Sequence, residues 1–314
     1  MSKYPLKLHK RHKSGLFLSI ELIVVITVVI TILVATVAGL IYLRTEYTAM
    51  KLVQEIDLYA EAMQNFQNTY GGLPGDIDPA VLNRNMEFAG SLAITTISSN
   101  NTGAIFGDRD IYYFADNNNK PYDVFRELAL AKLIPTGLVK LDNVNRYAEA
   151  FSSANLGQKV VPVSTLDNGY IYGLLNFNTN FAGSKSRMLA WVTDSAMQNY
   201  WISWQDRPLL VLTGGNTNFK YPHFGDSTSV GAISASLASI VDLKMDDGLP
   251  MGSKSKLIAV DTRRSGGFGC TTASTTWTSD VAYSVANEAA MLALKYQTND
   301  NDGVKGCHLV YRID

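Results

Sequence analysis

The sequence predicts an α+β fold: a long N-terminal helix, membrane-embedded in its first half and amphipathic in its second, packed on an antiparallel β-sheet domain. Three observations predict it. An apolar run occupies residues 16–43, apolar residues then recur at spacings of three and four as far as Tyr70, and short β-rich runs alternate with polar loops beyond.

The apolar run, Leu16 to Leu43, reads LFLSIELIVVITVVITILVATVAGLIYL, and Glu21 is its one charge. A bilayer span needs about 20 such residues, whereas the apolar core of a secretory signal has about 7–15 and leads to a small-x-small cleavage site. No such site follows this run. Ahead of it stand Lys3, Lys7, Lys10, Arg11 and Lys13 and no acid. Removing those five from the 27 basic residues leaves 22 against 28 acidic, a net of -6 for the remainder. A basic head holds the N-terminus in the cytoplasm, so the rest of the chain is expected outside the inner membrane. The acidic body excludes a nucleic-acid surface, which needs clustered Lys and Arg.

The helix does not stop at the membrane. After Arg44 neither Gly nor Pro occurs before Gly71. Ala49, Leu52, Val53, Ile56, Tyr59, Ala60, Met63, Phe66 and Tyr70 form one apolar face, with Lys51, Glu55, Asp57, Glu61 and Gln64 on the wet side. One helix from about Leu16 to Tyr70 follows, roughly 80 Å long at 1.5 Å per residue. Gly71, Gly72 and Pro74 end it. The domain reading is therefore a basic leader at 1–15, a membrane half at 16–43, an amphipathic half at 44–70 and a globular domain at 71–314.

A short basic leader ending in Gly15, an apolar stretch with a single early Glu, and a helix half in lipid and half amphipathic resemble the type IV prepilins and type II secretion pseudopilins. The resemblance covers about residues 10–46 most specifically and extends along the helix to 70. It implies a pilin-like fold and cleavage after Gly15 by a prepilin peptidase, with N-methylation of Leu16. It implies that Glu21 serves assembly, by pairing with the amino group cleavage frees on a neighbouring subunit. Other pilin subunits, the peptidase and inner-membrane lipid are the implied partners, and an extracytoplasmic filament the implied destination. Two positions depart from the family pattern. Glu21 is the sixth residue after Gly15 instead of the fifth, which turns the carboxylate by about 100° around the helix. Leu16 stands where Phe is usual, with Phe17 second. A membrane-buried carboxylate costs about 2.5–3.5 kcal/mol on insertion scales, so it is expected to be kept for a partner.

Beyond the helix, β-rich runs lie at Ile111–Phe114, Val160–Val163, Tyr170–Phe177, Met188–Val192, Leu209–Leu212, Leu257–Val260 and Leu309–Ile313. Polar loops at Ser98–Gly103, Asn117–Asn119 and Gly214–Asn218 separate them. Two helices are expected among them. One runs Asp123–Leu133, with Val124, Leu128 and Ala131 on one face and Asp123 as its cap; the other runs from about Ser234 to Met245. YGGLPGDID (Tyr70–Asp78) and DLKMDDGLPMG (Asp242–Gly252) resemble segments of the larger, secretion-type prepilins. Only two cysteines occur, Cys270 and Cys307. Behind a membrane span they are expected to form one disulfide, contributing up to ~4 kcal/mol through a closed loop of about 38 residues.

The sequence offers little other chemistry. Asp242 and Asp246 are one helical turn apart and Asp247 adjoins them, a set that suits Ca²⁺. The preferred reading is a solvated helix end, and no cofactor or metal is expected. Asp300, Asp302 and Gly303 match part of an EF-hand loop, but Thr298 and Leu309 stand at its first and last ligand positions. Gly248 to Ser255 misses a Walker A pattern through Ser253, in the wrong setting. Only His223 and His308 follow the leader, with no Gly-x-Ser-x-Gly elbow and no zinc spacing. Trp191, Trp201, Trp204 and Trp277 are read as core. The expected function is thus a filament subunit and not an enzyme. A large body also fits a subunit at the filament tip, and the alternative is an uncleaved single-pass anchor carrying a periplasmic binding or hydrolytic domain.

Overall fold

The computed structural model describes residues 14–74, 77, 82, 84, 123–139, 141, 162–164, 170–176, 208–214, 231–250, 255–261, 270–272, 293–298 and 306–314. Helix α1 runs unbroken from Ser14 to Tyr70, 57 residues. The chain divides into two compact units between Tyr47 and Thr48, so the last part of α1 belongs to the second unit.

In the second unit α1 buries the face its periodicity marks. Ala49, Leu52, Ile56, Tyr59, Ala60, Met63 and Phe66 are buried, Ala62 widens the stripe, and Val53 and Tyr70 are half-buried against it. The face ends where Gly71 takes a φ of +79°, a conformation that costs glycine little, and donates its N–H to the Gln67 carbonyl at 2.9 Å. Aromatic contacts pin the helix. Tyr59 meets Phe125 edge-on at 5.7 Å, and Phe66 lies 4.5 Å from Tyr70.

Four strands form one antiparallel sheet: β1 (Tyr170–Asn176), β2 (Pro208–Gly214), β3 (Leu257–Asp261) and β4 (Cys307–Arg312), in the order β1-β2-β4-β3. The last strand thus inserts between β2 and β3. Its register sets Leu309 opposite Leu212 and Ala259, and Val310 opposite Val211 and Ile258. Side chains alternate across a sheet, so Leu210, Leu212, Leu257, Ala259 and Leu309 share one face and Ile258, His308 and Val310 the other. Both sets are buried, as a central strand requires. The apolar residues among them join the face of α1 in one hydrophobic core.

The strands agree with the sequence expectation to within two residues at each end. Of the expected strand at 160–163, Pro162 and Val163 are described, and Val163 lies in an isolated bridge and not in one of the four strands. Residues 1–13 of the leader, the expected strands Ile111–Phe114 and Met188–Val192, the loops at 98–103 and 117–119, Asp300–Gly303, His223 and the four tryptophans lie outside the described residues.

Helix α2 corrects its expected boundary. It spans Asp123–Leu130 and stops three residues before Leu133. Lys132 turns to φ +60° while the N–H groups of Leu133 and Ile134 both reach back to the Leu128 carbonyl, closing the end ahead of Pro135. A short 3₁₀ turn follows at Thr136–Leu138. The single apolar face expected for α2 is corrected too: every residue from Val124 to Leu130 is buried, Arg126 and Glu127 included. Arg126 donates Nε to the Leu141 carbonyl at 2.7 Å, which lets a guanidinium sit inside. Helix α3 (Ala235–Met245) starts as expected, with Ser234 Oγ accepting from the Leu237 N–H at 3.3 Å.

Candidate functional site

Among the described residues two features carry chemistry, one in each compact unit. The first is the stalk. Ile20, Leu22 to Ile26, Val28 to Ile30, Ile32 to Val34, Val37 and Leu40 to Leu43 all expose about half or more of their surface. A patch of this size is untenable in water and fits the interior of a bilayer. The helix is long and apolar enough to cross a membrane. Its polar side chains are handled accordingly. Thr27, Thr31 and Thr36 donate their hydroxyls to the carbonyls of Ile23, Thr27 and Ile32, each at 2.8 Å. Every polar hydrogen among them therefore finds an acceptor on its own helix, as lipid demands. Tyr42 donates to Glu46 Oε1 at 3.2 Å near the expected membrane boundary. Glu21 is exposed on this stalk, and the backbone of Gly15 and Leu16 lies in its first turn.

The second feature is the turn that ends α3. Asp246 donates its N–H to the Asp242 carbonyl at 2.7 Å as the helix closes. Gly248 then takes φ +76°, and a side chain there would bring its Cβ to 2.5 Å from Leu243 Cδ2. The positive φ is what favours glycine, since the exposed Leu243 side chain can move aside. The two turn acids bind the chain that returns as β3. Asp246 Oδ2 accepts from the N–H groups of Lys256 at 2.5 Å and Leu257 at 3.1 Å. Asp247 accepts from the Leu249 N–H at 2.9 Å through Oδ1 and from Ser255 Oγ at 3.0 Å through Oδ2.

Asp242 differs from both. The residue expected at a solvated helix end is fully buried. Its Oδ2 accepts from the Tyr296 hydroxyl at 2.8 Å. Burial, reinforced by the charges of Asp247 and Asp246 and opposed in part by hydrogen bonds from Tyr296 and the Gly248 backbone, pushes its carboxyl up to about 7. Burial likewise drives the Tyr296 hydroxyl well above its ordinary value. Ligand oxygens of Asp242, Asp246 and Asp247 all lie within 4.8 Å of one another, so the structure does bring the three sequence candidates together.

Sequence reasoning missed Tyr296 and Ser255. Ser255 had a signal, since it closes the same short loop, but Tyr296 lies 54 residues from Asp242. The disulfide explains how it arrives. Cys270 is bonded to Cys307, as expected, with the Cα atoms 4.8 Å apart. Residues 270–272 then pair with 295–297: Gln297 N–H to the Cys270 carbonyl at 3.0 Å and Thr272 N–H to the Lys295 carbonyl at 2.8 Å, which aligns Thr271 with Tyr296. Cys307 also exchanges backbone hydrogen bonds with Ile233, just ahead of α3. One crosslink therefore fixes β4, the start of α3 and the tyrosine that meets its end.

No family model, curated protein or solved structure matches the chain.

Proposed function

We propose that the chain is a membrane-anchored filament subunit. The particular reading is a prepilin or pseudopilin of a type II secretion or type IV pilus-like machine, with its N-terminus cytoplasmic and its body periplasmic, and without enzymatic activity. The observation that carries it is a single 57-residue helix whose surface is apolar and exposed along 20–43 and folded into a globular core from Ala49 onward. An ordinary anchor needs no such continuity, because a flexible linker after the span would serve it equally well. A filament subunit makes use of it, since the helix that packs stalk against stalk continues into the core of the body. The lone Glu21 in that stalk, six residues after Gly15, supports the same reading. In it the prepilin peptidase cuts after Gly15, Leu16 becomes the first residue, and Glu21 draws the new amino group of a neighbour in a medium where such attraction is strong.

Co-expression with a prepilin peptidase tests the proposal. Mass spectrometry of the N-terminus should find the leader removed from the wild type and retained in Gly15→Val. Equal masses would defeat the processing claim and leave an uncleaved anchor with a periplasmic binding or hydrolytic domain. Glu21→Ala should still insert in the membrane but fail to enter filaments.

A further inference from the structure

The apolar run of the stalk is longer than a bilayer is thick. As part of one helix, residues 16–43 extend over roughly 42 Å, against about 30 Å of hydrocarbon. Fitting the whole run into the core would take a tilt of roughly 45°, beyond the range of about 0–40° that spanning helices adopt. Part of the run therefore stays out, and the side chains at its two ends decide which part.

The end nearer the body is marked by Tyr42, Arg44, Glu46 and Tyr47. Tyr42 and Tyr47 are exposed, and the Tyr42 hydroxyl donates to Glu46 Oε1 at 3.2 Å. An aromatic ring with a polar tip settles where lipid meets water, and the charges beyond it stay in water. Counting back from Tyr42, the core takes about 20 residues, which are Leu22–Ile41. The next residue is Glu21. Inside that window the polar side chains are Thr27, Thr31 and Thr36, and each donates its hydroxyl to a carbonyl of its own helix, so none needs water. Glu21 has no such recourse. A carboxylate accepts and does not donate, and the N–H groups around it are engaged within α1. Exposed on the helix surface, it needs water or polar headgroups, and it meets them at the edge of the core.

The two ends thus agree on one placement. We infer that Glu21 is a depth stop: in the unassembled subunit it rests in the headgroup layer opposite the body, with Leu22–Ile41 as the span, and holds the Gly15–Leu16 bond in water. Helix α1 starts at Ser14 and carries that bond about six residues, roughly 9 Å, beyond Glu21. One headgroup layer is about 5–7 Å deep, so the bond clears it. Leu16, Phe17, Leu18 and Ile20 are apolar and would draw the helix inward if the acid did not oppose them. A protease acting from that side, cytoplasmic in the reading above, reaches the bond without entering the bilayer. The inference rests on the membrane-anchored reading and on neither processing nor assembly.

The unprocessed full chain, reconstituted in vesicles of dioleoyl phosphatidylcholine and phosphatidylglycerol, carries the test. The disulfide takes both native cysteines, so an introduced cysteine is the free thiol. A charged maleimide, supplied to both faces by freeze–thaw, reacts where the thiolate can form, in water and not in hydrocarbon. Ile20→Cys should react at least tenfold faster than Thr27→Cys. Adding Glu21→Leu should slow Ile20→Cys roughly threefold or more. Adding Val24→Glu to that pair should restore the rate, because the acid, moved three residues along, still leaves about 17 residues to span. Ile20→Cys as slow as Thr27→Cys with Glu21 in place would put the carboxylate inside the core and overturn the stop. So would an Ile20→Cys rate indifferent to Glu21→Leu, or one that Val24→Glu does not restore. No peptidase or filament enters this experiment. Its failure therefore leaves cleavage after Gly15 standing, and an uncleaved wild type leaves the depth result standing.

Discussion

Residues 20–43 and 49–66 lie on one helix, yet they face opposite problems. The first stretch is apolar around its whole circumference and leaves that surface uncovered; the second is apolar on one stripe and buries it. Backbone hydrogen bonding is the same in both. What differs is which medium the side chains are built to meet, and the pattern of polar residues encodes that choice. In the body polar side chains also reach across the fold, as when Gln64 donates to the Asp314 carbonyl at 2.9 Å.

This contrast can be broken experimentally, because perturbations of the body should leave the stalk unmoved. The largest effect is expected for Phe66→Ala, which empties a fully buried site and should cost the globular unit about 3–5 kcal/mol in urea unfolding. Leu33→Ala, on the exposed stalk, should leave the same transition within about 0.5 kcal/mol. Equal losses would mean that the two stretches share one folding unit.

Reducing the disulfide, or replacing Cys270 and Cys307 with Ser, should cost roughly 2–4 kcal/mol by thermal unfolding. It should also raise hydrogen exchange at Thr272 and Gln297, whose N–H groups donate to the Lys295 and Cys270 carbonyls in the pairing the crosslink supports.

His308 offers a pH test. It is fully buried in β4, and desolvation lowers its imidazole to about 3. The folded protein therefore keeps it neutral while the unfolded chain takes up a proton below about 6.5, so its stabilising contribution is complete above 6.5 and is lost as pH falls toward 3. Asp242, raised to about 7, acts with the opposite sign in much of that window. The informative quantity is thus the stability difference between wild type and His308→Phe. It should shift against the wild type by about 3 kcal/mol between pH 7 and pH 4.

Gly248→Ala should cost roughly 1–2 kcal/mol, from the positive φ, because the exposed Leu243 side chain can yield. The smallest effect is expected at the C-terminus. Asp314 pairs with Lys256 at 2.7 Å and Arg312 at 2.8 Å, but both Lys256 and Asp314 remain open to water. Asp314→Asn should change stability by less than about 1 kcal/mol, and less still at high salt.

Much of this was readable in advance. Helix α1 declared itself because an apolar run to Leu43 leads into a face repeating every three or four residues from Ala49 to Tyr70, with no breaker between Arg44 and Gly71, and the capping Ser234 and the run to Met245 located α3 nearly to the residue. The α2 helix was read less well. Its pattern shows one apolar face, but other parts of the fold surround it on every side, and Arg126 and Glu127 are buried where a surface helix would expose them. The candidate cluster was legible as three acids one turn apart. Its decisive property, the burial of Asp242, was not.

Sequence alone determined what is local: the length and apolar girth of the stalk, the stripe that folds inward after it, the turns that need glycine, and the oxidisable pair of cysteines. These follow from periodicity and from the steric character of single residues, which need no knowledge of distant neighbours. Tertiary structure decided the rest. It placed β4 between β2 and β3, set Tyr296 against Asp242 across 54 positions, and withdrew that carboxylate from water. Strand order and burial depend on which remote segments meet, and hydrophobic attraction, being without direction, does not name the partner.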